Sequence, residues 1–298
     1  MKELVVISGK GGTGKTSITV SLATLAKKDA IIADCDVDAA DMHLLLEPDF
    51  GYAEDFYSGV LAYIDQDLCS KCGRCYEVCR FGAIDFTDGI YSVDELSCEG
   101  CGYCARVCKS DAIEMNDRNV GKWYISKIKT GSKMVHAKLG IGAENSGKLV
   151  AKVKTEAKTL AIKESVPYVI VDGSPGVGCP VVSSLSGADF VLLVTEPSVS
   201  GLHDLKRVYE LVKRFGLSAG CIINKADLNL DKSKEIEEFC QEEGIEFFGK
   251  IPYFEDFTKA MVEKKSIVEY GDSKASKAIK ECWSKLEEIL NKKKFNDS

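Results

Sequence analysis

A short glycine-rich segment near the start of the chain carries two lysines and a threonine at fixed spacing. Residues 9–16 read Gly-Lys-Gly-Gly-Thr-Gly-Lys-Thr, which fits the pattern G-x-x-x-x-G-K-T. In such a loop, backbone N–H groups converge on phosphate oxygens, and the N-terminus of the following helix adds a partial positive charge. Lys15 is expected on the β- and γ-phosphates of a nucleotide, and the Thr16 hydroxyl on Mg²⁺. The expected nucleotide-binding residues of the loop are Gly11, Gly12, Thr13, Gly14, Lys15, Thr16 and Ser17.

The residues on either side of this loop support the same interpretation. An apolar run, Leu4–Ile7, precedes it and is typical of a buried strand, and a helix-compatible stretch from Ser17 to Lys27 follows it. A glycine-rich turn without a ligand is the simpler alternative. A phosphate-binding loop, however, must lie between a strand and a helix, and this loop does.

Carboxylates follow two later apolar runs that predict further parallel strands. Asp34 and Asp36 come at and just after the end of one run, and Asp172 directly follows another. Because parallel strands end at the same edge of a sheet, these carboxylates are expected beside the phosphate-binding loop. We therefore predict a Mg²⁺ site formed by Thr16 and Asp172, with Asp172 acting through water and the carboxylate of Asp36 nearby. Helix capping is the alternative for Asp34, Asp36 or Asp38.

Eight of the 13 cysteines form a repeated pattern between residues 69 and 108. Each half reads C-x₂-C-x₂-C-x₃-C, which resembles bacterial ferredoxins with two [4Fe–4S] clusters, where the last cysteine of each run ligates the other cluster. The resemblance assigns one cluster to Cys69, Cys72, Cys75 and Cys108. It assigns the other cluster to Cys98, Cys101, Cys104 and Cys79. Two structural zinc sites are the alternative, although zinc sites usually have a longer spacer between their cysteine pairs.

The lysine at position 10 makes the resemblance of the first loop more specific. With Lys10 and Lys15 both present, the loop resembles the deviant Walker A motif of the MinD, Mrp, nitrogenase iron protein and ArsA superfamily of ATPases. This resemblance implies a homodimer in which Lys10 reaches the partner's ATP. It also implies that Lys10, Lys15 and Asp36 are catalytic, with Asp36 orienting the attacking water or the water shell of the Mg²⁺ ion. A second cation at the γ-phosphate would stabilise transition-state charge as an arginine finger does.

Later segments extend the resemblance. Asp172–Gly176 resembles the switch II of MinD and Mrp proteins, which implies that the Gly176 N–H senses the γ-phosphate. Cys179 lies at the offset of the cysteine that binds the bridging cluster of the nitrogenase iron protein. It is therefore either an extra cluster ligand at the dimer seam or a buried free thiol. An N-K-x-D element begins at Asn224, which implies adenine recognition by Asn224, with guanine the alternative, and packing of the loop at Pro252 on the base.

Composition restricts the class of protein. The chain has 298 residues, 45% of them hydrophobic, which suits about two domains with a sizeable core. A net charge of −7 does not favour nucleic-acid binding. No apolar run approaches the ~20 residues of a membrane span and no signal-like segment precedes the first strand, so we expect a cytoplasmic protein without membrane binding. In a reducing compartment, clustered cysteines favour cluster ligation over disulfides.

Local patterns predict the remaining segments. Residues 42–59 are expected to form a connecting loop after a short helix, and residues 122–137 are expected to form two antiparallel strands. The glycine-rich stretch Ala137–Lys148 is a candidate binding loop near the nucleotide, with Lys148 as its leading contact. An amphipathic helix is expected over Ser273–Lys294.

Together these features predict an α/β protein with two domains. Residues 1–59 and 117–298 are expected to form a doubly wound, mostly parallel P-loop NTPase sheet, and residues 60–116 an inserted α+β ferredoxin-like domain. The resemblance implies an ATPase with two [4Fe–4S] clusters, and it leaves three functions open. The first is assembly or transfer of an iron–sulfur cluster or metallocofactor to an apo-target protein. The second is ATP-gated electron donation to a redox partner enzyme, and the third is a MinD-like cell-organisation switch with a redox-sensing ferredoxin domain.

Overall fold

The computed structural model describes residues 1–140 and 146–292. The strands are β1 Lys2–Ile7, β2 Ala30–Asp34, β3 Tyr52–Ile64, β4 Ile84–Thr87, β5 Ile90–Val93, β6 Ile113–Lys127, β7 Lys133–Leu139, β8 Tyr168–Asp172, β9 Phe190–Thr195, β10 Ala219–Asn224 and β11 Glu246–Ile251. The helices are α1 Lys15–Ala26, α2 Met42–Leu46, α3 Arg74–Val78, α4 Tyr103–Val107, α5 Ser146–Lys163, α6 Cys179–Leu185, α7 Val199–Arg214, α8 Leu230–Glu243, α9 Asp256–Val262, α10 Ile267–Tyr270 and α11 Lys274–Lys292.

One large sheet organises the strands. It has nine strands in the order β11-β10-β9-β1-β8-β2-β7-β6-β3, and β4 and β5 form a separate antiparallel ribbon. The pairings from β11 across to β7 are parallel. The central strands β1, β2, β8 and β9 are rich in Val, Ile and Leu and almost entirely buried, because helices cover both of their faces. The predicted mostly parallel sheet is confirmed.

Helices pack on both sides of this sheet. On one side, α1 packs with α10 and α11, and the buried side chains of these helices join alternate residues of β1 such as Leu4 and Val6 in one apolar cluster. On the other side, α5 and α6 pack together and α7 packs with α8. Helix α11 buries Trp283 and Leu286, so the amphipathic helix predicted at this position is confirmed over its described residues. Within the ranges that the structure covers, no helix is long and apolar enough to cross a membrane.

The chain divides into two compact units. The first contains Met1–Glu54, Trp123–Lys138 and the residues from Ser146 onward. The second contains Asp55–Lys122 together with Leu139 and Gly140. The phosphate-binding loop lies in the first unit, and all eight repeated cysteines lie in the second.

The prediction of a connecting loop over residues 42–59 is wrong in its second half. Met42–Leu46 forms the expected short helix, but Tyr52 begins a strand of 13 residues. This strand, β3, is at the end of the sheet order, and most of its first residues are exposed. Glu54 and Asp55 interrupt its aromatic residues, as charges often do on edge strands, and they hide the alternating pattern that identifies a strand. The pair of strands predicted over 122–137 is present as β6 and β7.

Candidate functional site

The loop between β1 and α1 has the backbone path of a phosphate-binding loop. Strand β1 ends at Ile7, and α1 begins at Lys15. Gly14 has a φ of 86°, and a Cβ at this position would lie 2.3 Å from Nδ2 of Asn224. A Cβ at Gly9 would lie 2.3 Å from the main-chain oxygen of Asp204. Glycine is therefore required at both positions by the close approach of neighbouring groups, and the N-terminus of α1 supplies its positive dipole end to this loop.

A cavity of about 310 Å³ opens in front of this loop. Residues 11 to 17, all predicted to bind the nucleotide, line it together with Asp36 and Pro175. Gly176, Asn224 and Pro252 are not among the described residues that line it. The structure thus brings the phosphate-binding residues and Asp36 together around one space and places the predicted base-recognition residues outside it.

Lys15 is buried among carboxylates. Its Nζ lies 2.9 Å from Oδ2 of Asp172 and 3.3 Å from Oδ2 of Asp36. Burial alone would lower the pKa of Lys15, but the charges of Asp172 and Asp36 outweigh burial and raise that pKa. Burial raises the pKa of Asp36, against the opposing effect of Lys15. These groups converge because Asp34 at the end of β2 pairs in register with Asp172 at the end of β8.

Two threonines of α1 contact the carboxylate of Asp172. The Thr16 hydroxyl donates to Oδ2 at 2.8 Å, and the buried Thr19 hydroxyl lies 2.7 Å from Oδ1. Sequence analysis missed Thr19, because a helical threonine commonly donates to the carbonyl four residues earlier, and Thr19 also lies 2.9 Å from the carbonyl of Lys15. Its position three residues after Thr16, on the same helix face, was the available signal.

Lys10 contacts groups of its own chain. Its Nζ lies 2.6 Å from Oε1 of Glu196, and it donates to the hydroxyls of Ser200 at 2.9 Å and Ser198 at 3.2 Å. The other carboxylate oxygen of Glu196 lies 2.9 Å from Nζ of Lys225. Sequence analysis did not identify Glu196 or Lys225 as site residues. Glu196 directly follows β9 at the same sheet edge as Asp172, which was the signal available for it.

The remaining predicted nucleotide residues lie at the same edge of the sheet. Asn224 is the last residue of β10, and its Nδ2 donates to the Thr13 carbonyl at 2.8 Å. The Gly176 N–H donates to the Ser8 carbonyl at 2.9 Å. Pro252 directly follows β11. Asn224 and Gly176 therefore both bind the backbone of the first loop and connect it to the later segments.

Two further predictions fall near α5 and α6. Cys179 is the first residue of α6 and is exposed, so the alternative of a buried thiol is wrong. Of the candidate binding loop Ala137–Lys148, the first residues belong to β7 and the last to α5, whereas residues 141–145 lie outside the described residues. Lys148 lies in the first turn of α5.

The eight repeated cysteines line two small cavities in the second unit. The first cavity is lined by Cys69, Cys72, Cys75 and Cys108. The second is lined by Cys79, Cys98, Cys101 and Cys104. In each cavity, three cysteines come from one half of the repeat and the fourth comes from the other half. The cavities therefore group the cysteines as the ferredoxin resemblance assigns them.

The two halves of the repeat also share their local structure. The Ala83 N–H donates to the sulfur of Cys79 at 3.4 Å, and the Ala112 N–H donates to the sulfur of Cys108 at 3.3 Å. Each run contains a five-residue helix, α3 or α4, which starts directly after a glycine in the left-handed region and ends just before the fourth cysteine. Burial raises the pKa of Cys75, with the nearby thiols adding to the effect. Across residues 1–140 and 146–292, no three Cys, His, Asp or Glu side chains converge on a single metal-ion position.

Comparison with known proteins agrees with this geometry. Residues 4–267 match the family described as the CobQ/CobB/MinD/ParA nucleotide binding domain. An uncharacterised protein of Methanocaldococcus jannaschii is 35% identical over 97% of both chains. An iron-sulfur cluster carrier protein of Pyrococcus furiosus is 23% identical over 95% of this chain and 85% of its own length. The cell division ATPase MinD of Pyrococcus furiosus superposes with a TM-score of 0.57, at 17% identity, over 97% of this chain and 99% of its own.

The strand–loop–helix element, with Lys15 and Thr16 beside Asp172, defines a P-loop nucleotide-binding protein. The chain belongs to the CobQ/CobB/MinD/ParA family of P-loop ATPases.

Proposed function

We propose that this protein is an ATP-hydrolysing homodimer that carries two [4Fe–4S] clusters and uses nucleotide-driven switching to assemble or transfer an iron–sulfur cluster or another metallocofactor. The observation that carries the proposal is the presence of two four-cysteine cavities on the same chain as the P-loop site. The cysteine-rich segment lies in sequence between Asp36 and Asp172, the two carboxylates that contact Lys15. A ferredoxin-like domain over residues 60–116, inserted between the switch segments, accounts for this order.

The cysteine cavities fit a cubane cluster better than a zinc ion. A zinc ion needs four ligand atoms about 2.3 Å from one point. A [4Fe–4S] cluster is instead bound at four separate iron corners, so its thiolates surround a volume. The four cysteines of each group line one cavity, and the N–H groups of Ala83 and Ala112 donate to the sulfurs of Cys79 and Cys108. When bound, the clusters would supply one-electron chemistry, and such N–H donors stabilise thiolate charge.

The contacts of the P-loop site assign roles in ATP hydrolysis. Lys15 would bind the β- and γ-phosphates, and Thr16 and Asp172 would hold Mg²⁺, which neutralises phosphate charge. Asp36 lines the cavity and would orient the attacking water. The Gly176 N–H, now on the Ser8 carbonyl, would exchange that partner for the γ-phosphate. Because Cys179 follows three residues later and is exposed, movement of this segment would carry its thiol with it.

Relatives support transfer of a cluster as the output. The Pyrococcus proteins named iron-sulfur cluster carriers match over most of this chain in one case and over about half in another. In a homodimer, two exposed Cys179 thiols could together bind a cluster in transit, with the remaining ligands supplied by the apo-target. Lys10 would reach the nucleotide of the partner subunit in that dimer.

Electron donation to a partner enzyme is the second candidate. It is favoured by the arrangement of all eight repeated cysteines in two complete four-thiol sets, since complete sets suit resident clusters that stay in place. Such clusters could pass electrons without leaving the protein.

Iron analysis and spectroscopy of anaerobically purified protein test the proposal. We expect about eight irons and eight sulfides per chain, from four of each in every cluster, and MgATP hydrolysis that a Lys15→Ala variant abolishes. Transfer predicts additional iron that is lost in Cys179→Ala and that reaches an apo-acceptor only with MgATP. Cys282→Ala, which removes a buried thiol of α11 outside the cysteine repeat, is the control for loss of a thiol elsewhere.

The outcomes separate the candidates. Eight irons that remain in place, with EPR spectra and reduction of an acceptor that depend on ATP, would favour electron donation over transfer. Zinc in place of iron would overturn the cluster assignment. Nucleotide-dependent localisation without cluster transfer or redox turnover would instead support the cell-organisation switch.

A further inference from the structure

The contacts of Lys10 indicate how its action on a partner could be controlled. We propose that Glu196 is a positioning residue that holds Lys10 inside its own subunit and releases it when two ATP-loaded copies associate. This inference rests on the proposed function, since it takes Lys10 as the lysine that acts on the partner's ATP.

The ammonium group of Lys10 is held by three oxygen atoms of one short segment. Oε1 of Glu196 lies 2.6 Å from Nζ, and the hydroxyls of Ser198 and Ser200 accept from it. All three acceptors lie around the N-terminus of α7, where Ser198 is the N-cap. A lysine at a helix N-terminus is disfavoured by the helix dipole. The Glu196 carboxylate is therefore the group that makes this position favourable for Lys10.

Glu196 is itself held between two lysines. Its second oxygen lies 2.9 Å from Nζ of Lys225, which also donates to the carbonyl of Gly12 at 2.8 Å. Lys225 has a φ of 54°, a left-handed conformation that is unfavourable for a lysine. The contacts of its side chain with Gly12 and Glu196 offset that strain. Glu196 thus connects Lys10 to the residue that follows Asn224, the predicted base-recognition residue.

This arrangement makes release of Lys10 a competition between anions. Within one subunit, the competing anion is the Glu196 carboxylate. Across a dimer, it is the triphosphate bound by the partner, which carries more negative charge than one carboxylate. Both subunits must release a lysine, so two Lys10–Glu196 contacts break for each dimer that forms. Both contacts therefore oppose dimerisation. The contact would therefore keep the protein monomeric until both copies hold ATP.

Sedimentation velocity of the full chain, under anaerobic conditions with Mg²⁺ and AMPPNP, tests the proposal. We expect Glu196→Gln to lower the dimer Kd by about tenfold, because Lys10 no longer has to leave a carboxylate. We expect Lys10→Ala to weaken dimerisation, and the double variant Lys10→Ala with Glu196→Gln to show no gain over Lys10→Ala. Lys225→Met keeps the Lys10–Glu196 pair and should not tighten the dimer. Glu238→Gln, at an exposed ion pair on α8, is the surface control.

The results separate the role of Glu196 from the role of Lys10. If Lys10→Ala weakens the dimer but Glu196→Gln leaves the Kd unchanged or raises it, the role of Glu196 is overturned and the dimer proposal stands. If Lys10→Ala changes neither dimerisation nor ATP hydrolysis, the proposed role of Lys10 fails and the role of Glu196 fails with it. Tightening in Glu196→Gln that persists when Lys10 is removed would also overturn the proposal.

Discussion

Each half of the repeat contributes one cysteine to the cavity of the other half. This arrangement predicts different losses of clusters in two double variants. Cys79 lies in the first half of the sequence repeat but lines the cavity of the second half, together with Cys101. Cys72 lies in the same half as Cys79 but lines the other cavity. The double variant Cys79→Ala with Cys101→Ala should therefore lose one cluster. The double variant Cys79→Ala with Cys72→Ala should lose both.

The difference between these variants is large enough for a simple assay. The unsubstituted protein should hold about eight irons per chain, the Cys79/Cys101 variant about four and the Cys79/Cys72 variant close to none. Iron and sulfide are measured after anaerobic purification, and EPR of the reduced protein counts the remaining clusters. Cys72 and Cys101 are both exposed, so the two variants remove comparable packing.

A control and a contrary result make the test decisive. Binding of MgATP by each variant shows that the P-loop unit is intact and that iron loss is local. If the Cys79/Cys72 variant keeps about four irons and the Cys79/Cys101 variant keeps none, each cluster is bound within one half of the repeat. The grouping of cysteines in the two cavities would then be wrong.

Three further predictions concern the P-loop unit. Burial lowers the pKa of His136 to about 4. Below pH 6.5 the folded chain therefore binds fewer protons at this residue than the unfolded chain. The free energy of unfolding should fall by about 2 kcal/mol between pH 7.5 and 5. Urea unfolding should show this loss in the unsubstituted protein and in exposed His203→Gln, but not in His136→Gln. Leu286→Ala, at a buried position of α11, should lower the free energy of unfolding by about 3 kcal/mol. Thr19→Val should reduce ATP hydrolysis about tenfold by removing a hydrogen bond to the Asp172 carboxylate, and Thr19→Ser should restore it; equal rates in all three proteins would contradict this role.

Sequence patterns predicted the parts of the site that depend on local spacing. The path of the first loop and the position of Asp172 at a strand end follow from residues close together in sequence, and the crossed grouping of the eight cysteines was implied by the resemblance of their repeat to two-cluster ferredoxins. Glu196 and Thr19 do not, because their roles arise only when separate segments meet. Lys10 and Glu196 are separated by 186 residues in sequence, and no periodic pattern connects them. Strand β3 was missed for a different reason, since its exposed and charged first residues lack the alternation of a half-buried strand.

The ion pairs at the first loop suggest why binding of MgATP would change the conformation of this protein. Lys15 pairs with Asp172 and Asp36, and Lys10 pairs with Glu196, so both loop lysines are neutralised by carboxylates of the same chain. In the proposed site, the triphosphate of MgATP would offer these lysines a stronger anion, and its Mg²⁺ would offer Asp172 and Asp36 a stronger cation. Around Lys15, each group that loses its partner would thus gain a new partner of the same charge. The exchange there would therefore cost little free energy. Glu196 gains no such cation, because its remaining partner is Lys225. In the proposed dimer, the Lys10–Glu196 pair is therefore the contact whose loss association would have to offset, and it would make association depend on the nucleotide of the partner subunit.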